Sequence, residues 1–139
     1  MPDDVWINLP VHDLDRARAF YADIGFALNP GMGNTAQSAC FLVGSKQLVL
    51  MLFPEAQFTA FARYAVSDTA AGSEMLISIG ASSRREVDEL ADRVRAAGGT
   101  VWGEPSDVQG WMYGCGFSDV DGHRWNALYM DMSAMPKPG

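Results

Sequence analysis

The sequence predicts an α+β fold: two tandem βαβββ repeats forming a curled, barrel-like mixed sheet around a cavity, with the helices outside. Three observations carry this reading. An apolar, β-branched stretch followed by a capped amphipathic helix occurs twice, beginning near Val5 and again near Glu74. Each helix ends at glycine, Gly25 in the first half and Gly98-Gly99 in the second. Three short apolar runs divided by turn residues then follow in each half, so both read strand, helix, strand, strand, strand. Four strands and one helix leave a sheet face uncovered, and two such units can cover it by curling together. The repeats are expected over residues 5–63 and 73–132 of a single domain spanning 1–139, with a small-molecule site where the halves meet.

Taken in order, Val5–Val11 is the first strand, and Asp13 is the N-cap of a helix whose Leu14, Ala17, Phe20, Tyr21 and Ile24 form one apolar stripe. Phe26-Ala27-Leu28 opens the next strand. Residues 39–43 and 47–53 form a strand pair around Gly44-Ser45-Lys46. Phe58, Phe61 and Tyr64 recur at three-residue spacing, as on a short helix with an aromatic face, and residues 67–72 form a small, polar connector. The second half starts with a strand at 74–79. Ser83 and Glu86 make a capping box for a helix carrying Val87, Leu90, Ala91, Val94 and Ala97. Thr100-Val101-Trp102 is a strand, the stretch around Glu104-Pro105 a turn-rich break, and residues 111–118 and 123–130 the last strand pair, joined by Asp119-Val120-Asp121-Gly122.

The totals exclude several function classes. A formal charge of −7 and the absence of a clustered Lys/Arg patch argue against nucleic acid. Arg84-Arg85 sit on a helix with Glu86, Asp88 and Glu89, the pattern of a solvated face. No apolar run approaches the roughly 20 residues a membrane span needs. The Met-Pro-Asp-Asp start lacks the basic and apolar regions of a secretory signal, so a cytoplasmic location is expected. Cys40 and Cys115 are expected as buried thiols rather than a disulfide framework. Gly31-Met32-Gly33-Asn34 lacks the strand and helix of a phosphate loop, and no Ser or Cys has a His at catalytic spacing.

Asn8-Leu9-Pro10-Val11-His12-Asp13-Leu14-Asp15-Arg16-Ala17, with Phe20-Tyr21 and Ile24-Gly25-Phe26, resembles the opening of the vicinal-oxygen-chelate superfamily, which unites glyoxalases, bleomycin-resistance proteins and extradiol dioxygenases. Gly116-Phe117-Ser118-Asp119-Val120-Asp121-Gly122-His123 with Trp125-Asn126 resembles its closing motif. The resemblance implies the fold over nearly the whole chain, but no single reaction. It also implies where a divalent metal would be held: at Trp6, at Leu48 or its neighbour Gln47, at Glu74 and at Asn126. Only Glu74 is a strong donor among these, and His12 and His123 are expected in solvent. No cofactor is therefore expected, and the chain reads as a binder of a small organic molecule, working as a homodimer. The expected pocket is lined by Trp6, Asn8, Met51, Glu74, Trp111, Tyr113 and Asn126, with Glu74 the candidate general base. The alternative is a metal-dependent lyase or dioxygenase using an unusual ligand set around Glu74.

Overall fold

The computed structural model describes residues 2–136; Met1 and residues 137–139 lie outside the described residues. The chain divides between Ala71 and Gly72 into two compact units. The first holds β1 (Trp6–Val11), α1 (Leu14–Asp23), β2 (Ala27–Leu28), β3 (Ala39–Val43), β4 (Leu48–Pro54) and α2 (Glu55–Ala62). Its sheet runs β1-β4-β3-β2, with β1 parallel to β4 and the other pairs antiparallel. Asp13 caps α1 as expected: its backbone is extended and its Oδ1 accepts from the Arg16 N–H at 3.1 Å. The helix buries Leu14, Ala17, Phe20 and Tyr21, and Leu9, Val11, Phe41, Leu50 and Leu52 are buried on the sheet. Tyr21 lies among Phe20, Phe26 and Phe41, with ring centroids 5.1 to 5.9 Å away.

The aromatic stripe of the next helix is shorter than its spacing suggested. α2 ends at Ala62, Arg63 turns left-handed at φ 56°, and Tyr64 lies beyond the helix, 82% exposed. Phe61 instead meets Phe53 edge to face at 5.1 Å.

The second unit repeats the topology. It holds β5 (Leu76–Gly80), α3 (Arg84–Ala96), β6 (Thr100–Val108), β7 (Met112–Ser118) and β8 (Arg124–Met130). The sheet order is β5-β8-β7-β6, with β5 parallel to β8. Two boundaries differ from expectation. β5 begins at Leu76, so Glu74 precedes it. β6 continues through Glu104-Pro105 instead of breaking there. Pro105 has no N–H to give, and the pairing with β7 steps across it from Gly103↔Gly116 to Ser106↔Gly114, which keeps the strand intact.

α3 starts as a modified capping box. Ser83 Oγ accepts from the Glu86 N–H at 3.1 Å, but the Glu86 carboxylate takes the Ser82 N–H (2.9 Å) and the Ser82 hydroxyl, one residue upstream of the expected partner. The helix buries Val87, Ala91 and Val94; Val87 and Ala91 share a core with Cys115 and Ala127. Each fully buried valine contributes about 1.5–3 kcal/mol. Phe117 and Trp125 stack at 6.2 Å. Cys40 and Cys115 are both free and buried, as the sequence suggested, and burial pushes the Cys115 thiol up. Among the described residues no helix is long and apolar enough to cross a membrane.

The cap makes stability depend on pH. Hydrogen bonds from the Ser82 hydroxyl and then its N–H hold the Glu86 carboxyl below its ordinary value. A depressed folded value stabilises above the unfolded carboxyl's range and is lost as pH falls through the folded one. Urea midpoints of the wild type and Glu86→Gln should differ at neutral pH and converge in acid. A gap that persists unchanged into acid would show that the charge of Glu86 contributes nothing.

Candidate functional site

In each unit one sheet face lies under the long helix and the other faces away, and the strand register decides which side chains share the open face. In the first sheet Trp6 pairs with Val49, Asn8 with Met51, and Met51 in turn with Cys40. Trp6, Asn8 and Met51 thus stand on one face, away from Leu9, Val11, Leu50 and Leu52. Trp6 is 56% exposed, Asn8 exposed and Met51 partly buried. Leu48 alternates onto the helix side, so the residue beside Trp6 is Val49. Gln47 is a turn residue at φ 55°.

The second sheet's open face is built the same way. Asn126 pairs with Ser78 on one side and Gly116 on the other, and Arg124 pairs with Leu76 and Ser118. Counting back from the caps Asp13 and Ser83, Trp6 and Asn8 correspond to Leu76 and Ser78. Glu74 lies two residues before the strand and is exposed. Apart from the buried Cys40 beside Met51, none of the side chains in these rows is a His, Cys or carboxylate, and among the described residues no three His, Cys, Asp or Glu are grouped to hold a metal ion. The donor set does not fit the divalent centre that the resemblance implied.

Tyr113 does not join Asn126. It pairs with Tyr129 and packs with the α3 core, on the opposite face of the sheet from Asn126. Its hydroxyl donates to Asp88 Oδ1 at 2.6 Å, which holds the phenol proton and raises its pKa, and the Arg84 guanidinium lies 5.3 Å over the ring. Trp111 stands one residue before β7, and its indole Nε1 is buried with no hydrogen-bond partner. Asn126 Oδ1 is likewise buried with no partner.

Two residues of the open face were not expected as site residues from sequence: Trp102 was expected only as part of a strand, and Arg124 only within the strand 123–130. The Arg124 guanidinium lies 4.2 Å from the Trp102 ring centroid. The indole lies over Gly116, where any Cβ would overlap its six-membered ring. The usable signal was the two-residue spacing from Arg124 to Asn126, which places both on one face of a strand.

The comparisons with known proteins agree with this architecture. Residues 5–44 match a family model described as bleomycin resistance protein-like N-terminal. A solved structure of a hypothetical protein from S. aureus is 33% identical, with a TM-score of 0.81, covering 93% of this chain and 94% of that one. A glyoxalase/bleomycin resistance protein/dioxygenase family enzyme from Burkholderia phytofirmans PsJN is 16% identical, with a TM-score of 0.76 and coverage of 91% and 98%. A mutant fosfomycin resistance protein from Listeria monocytogenes, complexed with Mn(II) and 1S,2S-dihydroxypropylphosphonic acid, is 20% identical, with a TM-score of 0.68 and coverage of 96% of both chains. No curated protein matches the sequence.

The seat of Trp102 can be tested directly. Gly116→Ala should cost about 1–3 kcal/mol by forcing the indole off the sheet. In a Trp102→Ala background the same change should cost much less, and equal costs in both backgrounds would separate Gly116 from the indole.

Proposed function

This chain belongs to the vicinal-oxygen-chelate superfamily of glyoxalase, bleomycin-resistance and dioxygenase proteins, and from that premise we propose that it binds a small organic molecule without the family's metal. One observation carries the reading: the paired rows Trp6–Val49, Asn8–Met51, Leu76–Arg124 and Ser78–Asn126 contain no strong metal donor. A tryptophan, a valine or a leucine offers a divalent ion nothing, and an asparagine carbonyl is a weak neutral ligand. On each sheet taken by itself, these side chains suit a ligand instead: aromatic and aliphatic surface for contact, with a few amide and hydroxyl groups to orient it. Trp6 and Met51 supply surface on the first sheet, and Trp102, Ser78 and Asn126 do so on the second. Asn126 Oδ1, lacking a donor, favours a ligand that brings one. Without a Lewis acid or a paired base, stoichiometric retention suits this set better than turnover. Two copies are proposed to act together, since Val5, Trp6, Leu76 and Met130 leave apolar surface for a partner to cover.

Elemental analysis before and after incubation with zinc, nickel, manganese and iron tests the metal-free part. We expect far less than one ion per chain in each case; a stoichiometric ion would restore the metal-dependent lyase or dioxygenase reading around Glu74. A ligand that binds metal-free protein at 100 times its Kd should add about 2.7 kcal/mol of stability, read as a raised Tm. Light scattering at the column exit should give the mass of two chains.

A further inference from the structure

Arg124 is partly buried, yet among the described residues no carboxylate lies within ion-pair distance of it and none of its guanidinium N–H groups is spent on an acceptor. The contrast lies within the same chain. Arg18, Arg84, Arg85 and Arg95 each hold an aspartate or glutamate, and Arg16, Arg63 and Arg93, which hold none among the described residues, are exposed, so Arg124 is the partly buried arginine left without a carboxylate. In a chain of net charge −7, carboxylates are plentiful, and a guanidinium drawn partly out of water gains from meeting one. Arg124 is instead laid on an indole. A guanidinium held over an aromatic ring, as here at 4.2 Å from the centroid, keeps N–H donors available, and such donors can grip a planar or tetrahedral anion through two hydrogen bonds.

The surroundings favour an incoming group. Gly116 lets Trp102 lie flat against the sheet, which sets the height of the guanidinium above it. Gly80, at the far end of β5, has open space where a side chain would stand. Two residues along β8 from Arg124, on the same face and about 6.7 Å away along the strand, Asn126 offers the carbonyl oxygen that has no donor.

Resting on the reading of this face as a binding surface, we propose that it selects organic anions: Arg124, steadied on Trp102, pairs with a carboxylate, sulfonate or phosphonate group, and Asn126 accepts an N–H or O–H from the same molecule. The ligand class is an aromatic or aliphatic acid carrying one hydrogen-bond donor. Neutral apolar molecules of the same shape would meet the same surface without the ionic contact.

The test uses two fluorescent probes that differ in one group. 8-Anilinonaphthalene-1-sulfonate carries an anion and an N–H on an apolar frame, and N-phenyl-1-naphthylamine is the same frame without the sulfonate. Both are titrated into the full chain. We expect the anionic probe to bind at least about tenfold more weakly to Arg124→Gln, since a charge-assisted hydrogen bond is lost, while the neutral probe changes less than twofold. Arg124→Lys, which keeps the charge but not the planar fork, should fall between the wild type and Arg124→Gln, and Arg85→Gln, on the exposed side of α3, should keep all of the affinity. Equal binding of the anionic probe by the wild type and Arg124→Gln, with the neutral probe still bound, overturns the anion selection and leaves the binding surface standing. A loss of the neutral probe in Arg124→Gln as large as the loss of the anionic one assigns Arg124 to packing and also overturns it. If neither probe binds the native chain, the binding surface itself fails, and the inference fails with it.

Discussion

In each unit the strand that precedes the long helix pairs in parallel with the unit's last strand: β1 with β4, β5 with β8. A parallel partner cannot be reached by a hairpin, so the chain must leave the sheet, and α1 and α3 make that excursion over one face only. Everything else follows from which face the helix covers. Strand alternation then sorts the side chains, and slipping β1 by one residue would push Trp6 and Asn8 under α1 and turn Leu9 and Val11 to solvent. Full burial of Leu9, Val11, Leu50 and Leu52 opposes that slip. The open face thus receives whatever the core does not require, which frees it to vary in chemistry while the fold stays the same.

Much of this architecture was legible because its signals are local. Asp13 and Ser83 are caps by residue type and position, Gly98 takes the positive φ that ends α3, and the stripes of both long helices have helical spacing. Cross-strand relations were less legible. Alternation tells which residues share a face within one strand, as Trp6 with Asn8. It does not tell whether Tyr113 faces with Asn126, because that depends on the turn between β7 and β8. There Asp119 Oδ1 takes the N–H groups of Asp121 (2.9 Å) and His123 (2.8 Å), and Gly122 turns at φ 87°. This closure sets Gly116 opposite Asn126 and sends Tyr113 to the helix side. A turn one residue longer or shorter would have reversed the assignment.

Strand ends were illegible for a related reason. Glu74 and Met75 precede an apolar run without any turn residue to mark the boundary, so polarity alone could not exclude them from β5. In β6 the opposite error arose: Glu104-Pro105 carries turn-like residues, yet a register shift accommodates the missing N–H without ending the strand. In both cases pairing with a neighbour overrode the local preference of the segment.

The open face of the second sheet shows how one small residue can set the chemistry of larger ones. Any side chain at Gly116 would lift Trp102, and a lifted indole would no longer place the guanidinium of Arg124 at 4.2 Å from its centre. Left in water, Arg124 would have every reason to swing towards one of the chain's many carboxylates. Held against the indole it stays unpaired and oriented, with part of its electrostatic binding capacity unspent. The fosfomycin resistance protein of similar fold is complexed with Mn(II) together with a phosphonic acid. Here the rows carry apolar, amide and hydroxyl side chains and the buried thiol of Cys40, and the positive charge on the second sheet's open face is the Arg124 guanidinium over Trp102. A metal ion draws electrons from the oxygens it coordinates, whereas a guanidinium only pairs with them. On the proposed reading, an open face built around Arg124 would therefore hold an anion rather than transform it.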